Sequence, residues 1–297
     1  MIEAGLIAAR FIHYLALALS FGSLTYVGFA AADERMSRRF RALAIGSTLM
    51  VLLASVGVLA LTIANLGGSI EAVGDGSLWS AVIEETDFGR IWPVRIGIAG
   101  LAAILLALWR VLPVRIAGIV LVGASVVLVA WTGHAAIEEG AAGHIHRWAD
   151  AVHVVAAMVW IGALIPLLWL VAAPGTAREA GRRLSQFHGV GLGAVLALVA
   201  SGVVNSYFLV GHPSLLWTTP YGRLLLLKLS LFGCMLILAA ANRYRHAPAL
   251  NRALLTDTDV TPALASFRQS ISGELALAVL IIGIVAALGV IAPAASA

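Results

Sequence analysis

Eight stretches of the chain, roughly 6–31, 42–66, 91–109, 114–134, 147–173, 183–210, 221–242 and 268–292, carry few charges, and their apolar residues are continuous rather than alternating. Each exceeds the ~17 residues that a helix needs to cross a hydrocarbon core. A backbone in lipid must satisfy its own N–H and C=O groups, so runs of this kind are helices. The spacing predicts an all-α integral membrane protein with eight transmembrane helices in contact with the lipid bilayer. Composition agrees: 61% of the 297 residues are apolar and 11% are charged, against about 45–50% and about 25% in soluble chains. That balance excludes a water-soluble enzyme. Spans and short loops also leave no room for a soluble catalytic domain, so no enzymatic activity is expected.

The net charge of +4 reports topology rather than nucleic-acid binding, because the basic residues sit in short loops. Thirteen of the 19 follow spans 1, 3, 5 and 7: Arg35, Arg38, Arg39 and Arg41; Arg110 and Arg115; Arg178, Arg182 and Arg183; Arg243, Arg245, Arg252 and Arg268. Arg10, Arg90, Arg95, Arg147, Arg223 and Lys228 remain on the other side. The positive-inside bias therefore predicts that both termini lie outside. Phe29-Ala30-Ala31-Ala32 has the look of a signal-peptide cleavage site, yet Glu3, the length of the run and the Arg-rich stretch after it favour a retained first span. The single cysteine, Cys234, rules out an intrachain disulfide.

An internal duplication is visible. Thr86-Asp87-Phe88-Gly89-Arg90, followed by Arg95 and Gly100, recurs at a constant offset of 133 as Thr219-Pro220-Tyr221-Gly222-Arg223, Lys228 and Gly233. His13, Ala16, Gly22 and Leu24 recur at an offset of 140 as His153, Ala156, Gly162 and Leu164. Residues 1–140 and 141–297 thus read as two four-helix repeats. Four crossings is an even number, so the copies are parallel and related by an axis along the membrane normal. The aromatic-Gly-Arg turns read as bends with a headgroup anchor, and Trp79, Trp92, Trp148 and Trp217 as interfacial residues.

Ionisable residues inside spans are costly and mark candidate sites. His13 and His153 fall at matched depths of ~10 Å from the outer surface, and His134 ends span 4 on the same side. Three imidazoles converging there suit copper, iron, zinc or nickel; individually, each fills a gap and bonds a carbonyl. His144-Ile145-His146, in the outer loop, is a possible metal-capture pair, and His212 a weaker one. Arg95 and Lys228 either snorkel to the interface and pair with carboxylates or, facing inward, call for an anionic ligand or a balancing carboxylate. Near the inner surface, His188, Asn242 and Glu274 form a possible exit path or proton relay. Met50, Met158, Cys234 and Met235 offer soft sulfur near mid-membrane, a property shared with ordinary packing residues. No nucleotide-binding or hydrolase motif occurs in a credible context.

The run Asp150-Ala151-Val152-His153-Val154-Val155-Ala156-Ala157-Met158-Val159-Trp160-Ile161-Gly162-Ala163-Leu164 resembles the D-x-x-H-x-x-A-x-x-x-W-x-G-x-L signature of the copper resistance D (CopD) family. Gly133-His134-Ala135, Arg183-Leu184-Ser185-Gln186-Phe187, Tyr221-Gly222-Arg223 with Lys228, Asn242-Arg243, and Glu274 with Pro293 follow in the same order. The resemblance covers nearly the whole chain and is strongest from 131 to 293. It implies a bacterial inner-membrane protein of copper homeostasis and resistance that moves copper inward and is partnered by a periplasmic copper-binding protein of the CopC type. Fused members carry that soluble domain before span 1; this sequence has no such domain and no Met-rich outer loop. Two readings follow. In the first, His144 and His146 or a chaperone deliver copper to His13, His134 and His153, and the path ends near His188, Asn242 and Glu274. In the second, the chain is an electron-transfer protein with one haem b between His13 and His153, its propionates on Arg95 and Lys228.

Overall fold

A computed structural model of the chain describes residues 1–29, 34–108, 111–136, 138–172 and 177–296, the side chains of 26–29, 34–37, 112, 136, 179 and 183–188 excepted. The described residues form helices α1 (Ile2–Phe29), α2 (Glu34–Leu66), α3 (Gly76–Glu85), α4 (Asp87–Ala107), α5 (Leu112–Val127), α6 (Gly140–Ala172), α7 (Ala177–Val210), α8 (Leu215–Thr218), α9 (Pro220–Ala241), α10 (Ala247–Leu255) and α11 (Thr261–Leu288). No strand occurs among them. Eight helical segments are long and apolar enough to cross a membrane, based on α1, α2, α4, α5, α6, α7, α9 and α11. Their outward faces carry Leu53, Ile104, Leu196, Val203 and Ile237, all more than half exposed, as a lipid-facing surface requires.

Several helices run past the limits read from hydropathy, because polar residues extend a helix that the apolar run has started. One such difference is at α6, which begins at Gly140 rather than near 147. Gly140 adopts φ +66°, and the backbone at Gly143 packs on the Glu138 carbonyl so closely that a side chain would not fit. The chain thus turns within a few residues, and the stretch expected as loop becomes two turns of helix. Two short helices, α3 and α8, occupy connections expected to be plain loops at the same end of the bundle.

Helices α3 and α8 meet α4 and α9 through turns of the same build. Thr86 and Thr219 are extended N-caps whose hydroxyls accept from Gly89 N at 2.9 Å and Gly222 N at 3.0 Å. Each hydroxyl also donates at 2.7 Å to a carbonyl four residues back, Val82 or Leu215. Gly89 and Gly222 lie against those same carbonyls, where any side chain would collide. Close backbone approach, not a bend, is what requires glycine here. Tyr221 is buried rather than anchored at a headgroup, and its ring lies edge-on to His134 at 6.2 Å.

At the centre α1 crosses α6. Helix α1 packs on α2, α5 and α11, while α6 packs on α7, α5 and α11; α4 pairs with α5 and α9 with α11. The two central helices come closest at Gly22 and Gly162, backbone against backbone, the small-residue contact that lets membrane helices approach. Around α6, the Trp160, Leu164, Leu167, Met235, Phe267 and Ile271 side chains form the largest apolar core.

Candidate functional site

Polar side chains gather in three places, two at the α3/α8 end of the bundle and one at the α10 end. The first joins α1 and α4. His13 is 2% exposed and Arg95 3%. Arg95 Nη1 donates to Thr132 Oγ1 at 2.7 Å, and Nη2 lies 3.3 Å from His13 Nε2. A guanidinium only donates, so Nε2 is the acceptor and the imidazole proton sits on Nδ1. The Arg95 Cζ stands 4.5 Å over the Trp92 ring, a cation–π contact, and that ring is 6.0 Å from His13. Trp92, expected at the interface, is therefore buried. Arg10 Nη2 donates to Tyr14 Oη at 3.4 Å. Arg95 does not snorkel, and neither arginine has an ion pair among the described residues.

The second place joins α6, α7 and α9. Ser201 Oγ donates to Ala197 O at 2.5 Å, which leaves it to accept from His153 Nδ1 at 3.1 Å. His153 Nε2 then carries the lone pair. Asn205 Nδ2 donates to Asp150 Oδ1 at 3.0 Å. Lys228 is close enough for its charge to act on both Asp150 and His153. Here the cation has its carboxylate nearby; in the first place it has none among the described residues.

His134 lies beyond α5, in a 3-10 turn spanning His134–Ala136. Its Nε2 donates at 3.0 Å to the carbonyl of Leu288, the last residue of α11 and one of its unpaired helix-end acceptors. Burial pulls the His134 pKa below the ordinary histidine value. His144 and His146 stand on the first turns of α6, not in a loop. Two positions apart on a helix, they do not face each other. His144 is exposed beside Arg147, whereas His146 is buried, its Nδ1 3.2 Å from Glu138 Oε2 and its ring stacked on Phe208 at 4.7 Å. They make no chelating pair.

At the α10 end, Asn242 Nδ2 donates a short hydrogen bond to Glu274 Oε1. Asn242 does not close its helix: a π-helical turn, Asn242–His246, carries the chain on into α10. Such widened turns recur at functional positions. Asn242 and Glu274 line a cavity of about 200 Å³ with Trp160, Leu167, Phe267 and Ile271. His188, expected nearby, belongs to α7, and its side chain lies outside the described residues. The sulfur atoms form no relay: Met158 and Met235 belong to separate cores, and Met50 and Cys234 are exposed.

The three imidazoles do not converge. Among the described residues no three His, Cys, Asp or Glu side chains stand close enough to hold one metal ion. His13 Nε2 accepts from Arg95 and so has no lone pair free for a haem iron in this arrangement, whereas His153 Nε2 does. Ser201, Asn205 and Thr132 were missed in the sequence reading. The signal was available for Asn205, a buried amide in an apolar run.

The second half of the sequence, residues 181–288, matches the family model described as Copper resistance protein D, and residues 1–144 match Copper resistance protein D-like, N-terminal domain. The chain is 34% identical over 304 residues to Copper resistance protein D of Pseudomonas syringae pv. tomato, covering 97% of this chain and 96% of that protein. The chain belongs to the copper resistance protein D family. It is also similar to Inner membrane protein YebZ of Escherichia coli (strain K12), at 34% identity over 83% of this chain and 86% of that one. Copper transport protein CutJ of Bacillus subtilis (strain 168) is 30% identical over 80% of this chain and 46% of its own length. No solved structure matches. In this CopD-family chain, Asp150 and His153 fall between the two matched segments.

Proposed function

We propose that this protein carries copper across the inner membrane, from the periplasm to the cytoplasm, and that it is a transporter rather than an enzyme. The observation that supports this best is the arrangement of α6. His153, with a lone pair on Nε2 and the Asp150 carboxylate one turn away, lies thirteen residues into the helix; Trp160, seven residues on and ~10 Å along the helix, borders the cavity that holds Glu274 and Asn242. An imidazole suits copper, and a carboxylate attracts a cation. In this reading the C-terminal half is the path and His153 its receiving ligand, with His13 and His134 outside it.

The α3/α8 end is read as periplasmic, with both termini outside, on the strength of the 13 basic residues at the other end. The halves are read as parallel copies, which the matching Thr86 and Thr219 turns and the Gly22–Gly162 contact favour, since a residue meets its own equivalent only near an axis relating the two. A periplasmic protein of the CopC type is the proposed copper donor. The test is cellular copper after growth in a fixed copper supply, measured by elemental analysis. His153→Ala should reduce it to the level of a strain lacking the protein; unchanged copper in that variant overturns the reading.

A further inference from the structure

The two halves treat the same positions with opposite charge, and this says what the N-terminal half binds. Offsets of 133 and 140 pair Arg95 with Lys228, His13 with His153 and Arg10 with Asp150. In the C-terminal half the cation therefore sits near a carboxylate that Asn205 holds at 3.0 Å. In the N-terminal half the carboxylate position is a second arginine.

Arg10 lies close enough for its charge to act on His13, Arg95 and His134. Arg95 is 97% buried by its 3% exposure, and the groups acting on its charge are Tyr14 and Arg10. Three buried N–H donors in this region, Arg10 Nε, Arg95 Nε and Trp92 Nε1, have no acceptor among the described residues. One N–H each of Arg95 Nη1 and Nη2 is held by Thr132 and His13, with the guanidinium carbon over the Trp92 ring. Two guanidinium charges inside a membrane bundle without a carboxylate, together with donors lacking acceptors, are unfavourable unless an anion completes them.

The geometry points to an anion-binding site formed by Arg10, Arg95 and Trp92 beside His13, taking one small anion such as chloride. The same two cations would repel a bare copper ion, so His13 serves the anion site rather than the metal path. The charge comparison rests on the duplication; the unpartnered donors do not.

The test uses the purified full chain in detergent, free of copper. Thermal denaturation is followed while sodium chloride replaces sodium gluconate at constant ionic strength, with equilibrium binding of radioactive chloride in parallel. The wild type should show a saturable rise in melting temperature and one chloride bound per chain. Arg10→Gln and Arg95→Gln should each weaken chloride binding at least tenfold, and Lys228→Gln should leave it unchanged. Should Arg95→Gln fail to fold, the partly exposed Arg10 reads the same site. No saturable chloride binding by the wild type overturns the proposal, as does binding that survives both arginine substitutions. Stabilisation by phosphatidylglycerol micelles but not by chloride overturns it too, in favour of a lipid headgroup. Because no copper enters these assays, their failure leaves the transport reading standing.

Discussion

Gly22 of α1 and Gly162 of α6 touch backbone to backbone, and they lie 140 residues apart, the same separation as His13 and His153. A methyl group on either would overlap main-chain atoms of the opposing helix, which cannot rotate out of the way. Gly162→Ala should destabilise the protein by about 1–3 kcal/mol, the range for overpacking a tight contact. Gly57→Ala, at a helical position with open space around it, is the control and should not. Thermal denaturation in one detergent checks both.

Burial of His134 makes stability depend on pH, with its hydrogen bond to the Leu288 carbonyl acting in the opposite sense. Burial lowers the His134 pKa from its ordinary 6.5, so the folded state holds the neutral ring. The sign follows: the contribution is fully present above pH 6.5 and is lost as pH falls from there through the folded pKa, because the unfolded chain takes up the proton first. His134→Gln keeps a donor for the Leu288 carbonyl but does not titrate. Melting temperature between pH 7.5 and 5.5 should fall less steeply in that variant than in the wild type.

Asn242 and Glu274 are expected to fail differently. Asn242→Leu removes one of the two side-chain donors to the buried Glu274 carboxylate, Trp160 being the other, and should cost about 1–3 kcal/mol. Glu274→Gln keeps a hydrogen-bonding partner, so its stability should lie near the wild type. If the carboxylate belongs to the copper path, cellular copper should nevertheless drop in Glu274→Gln. Melting curves and elemental analysis on the same two variants separate the roles.

The Thr86 and Thr219 caps should respond alike. Thr86→Val and Thr219→Val each remove a hydroxyl that accepts from a glycine N–H and should cost about 1 kcal/mol. A loss in one alone would show that the two turns, alike in geometry, carry different loads. Denaturation of the single variants measures this.

His144→Ala should leave copper accumulation unchanged, since that ring is exposed and makes no pair with His146. His146→Ala should lower the melting temperature, because it removes the Glu138 contact and the Phe208 stack. Elemental analysis and melting curves on the two variants check the contrast.

The number and helical nature of the spans were legible in the sequence because both depend on local properties: the length of an apolar run, and the need of a backbone in lipid to bond within itself. The two aromatic-Gly-Arg turns were legible as a recurring motif, whereas the Thr86 and Thr219 caps and the burial of Tyr221 were not. The candidate site was legible only as a set of residue types. Arg95 is as polar whether it reaches the interface or lies over Trp92, and the choice is made by Thr132, which is 37 residues away. The tautomers of His13 and His153 are set by α4 and α7, and the separation of the three imidazoles follows from which neighbour each helix offers. The helical start at Gly140 was hidden because hydropathy reports what lipid tolerates and not where hydrogen bonding begins. Sequence thus determined which residues are buried in a membrane and which of them are costly there; the tertiary structure decided which partners meet that cost, because a hydrogen bond depends on approach between helices that no local pattern encodes.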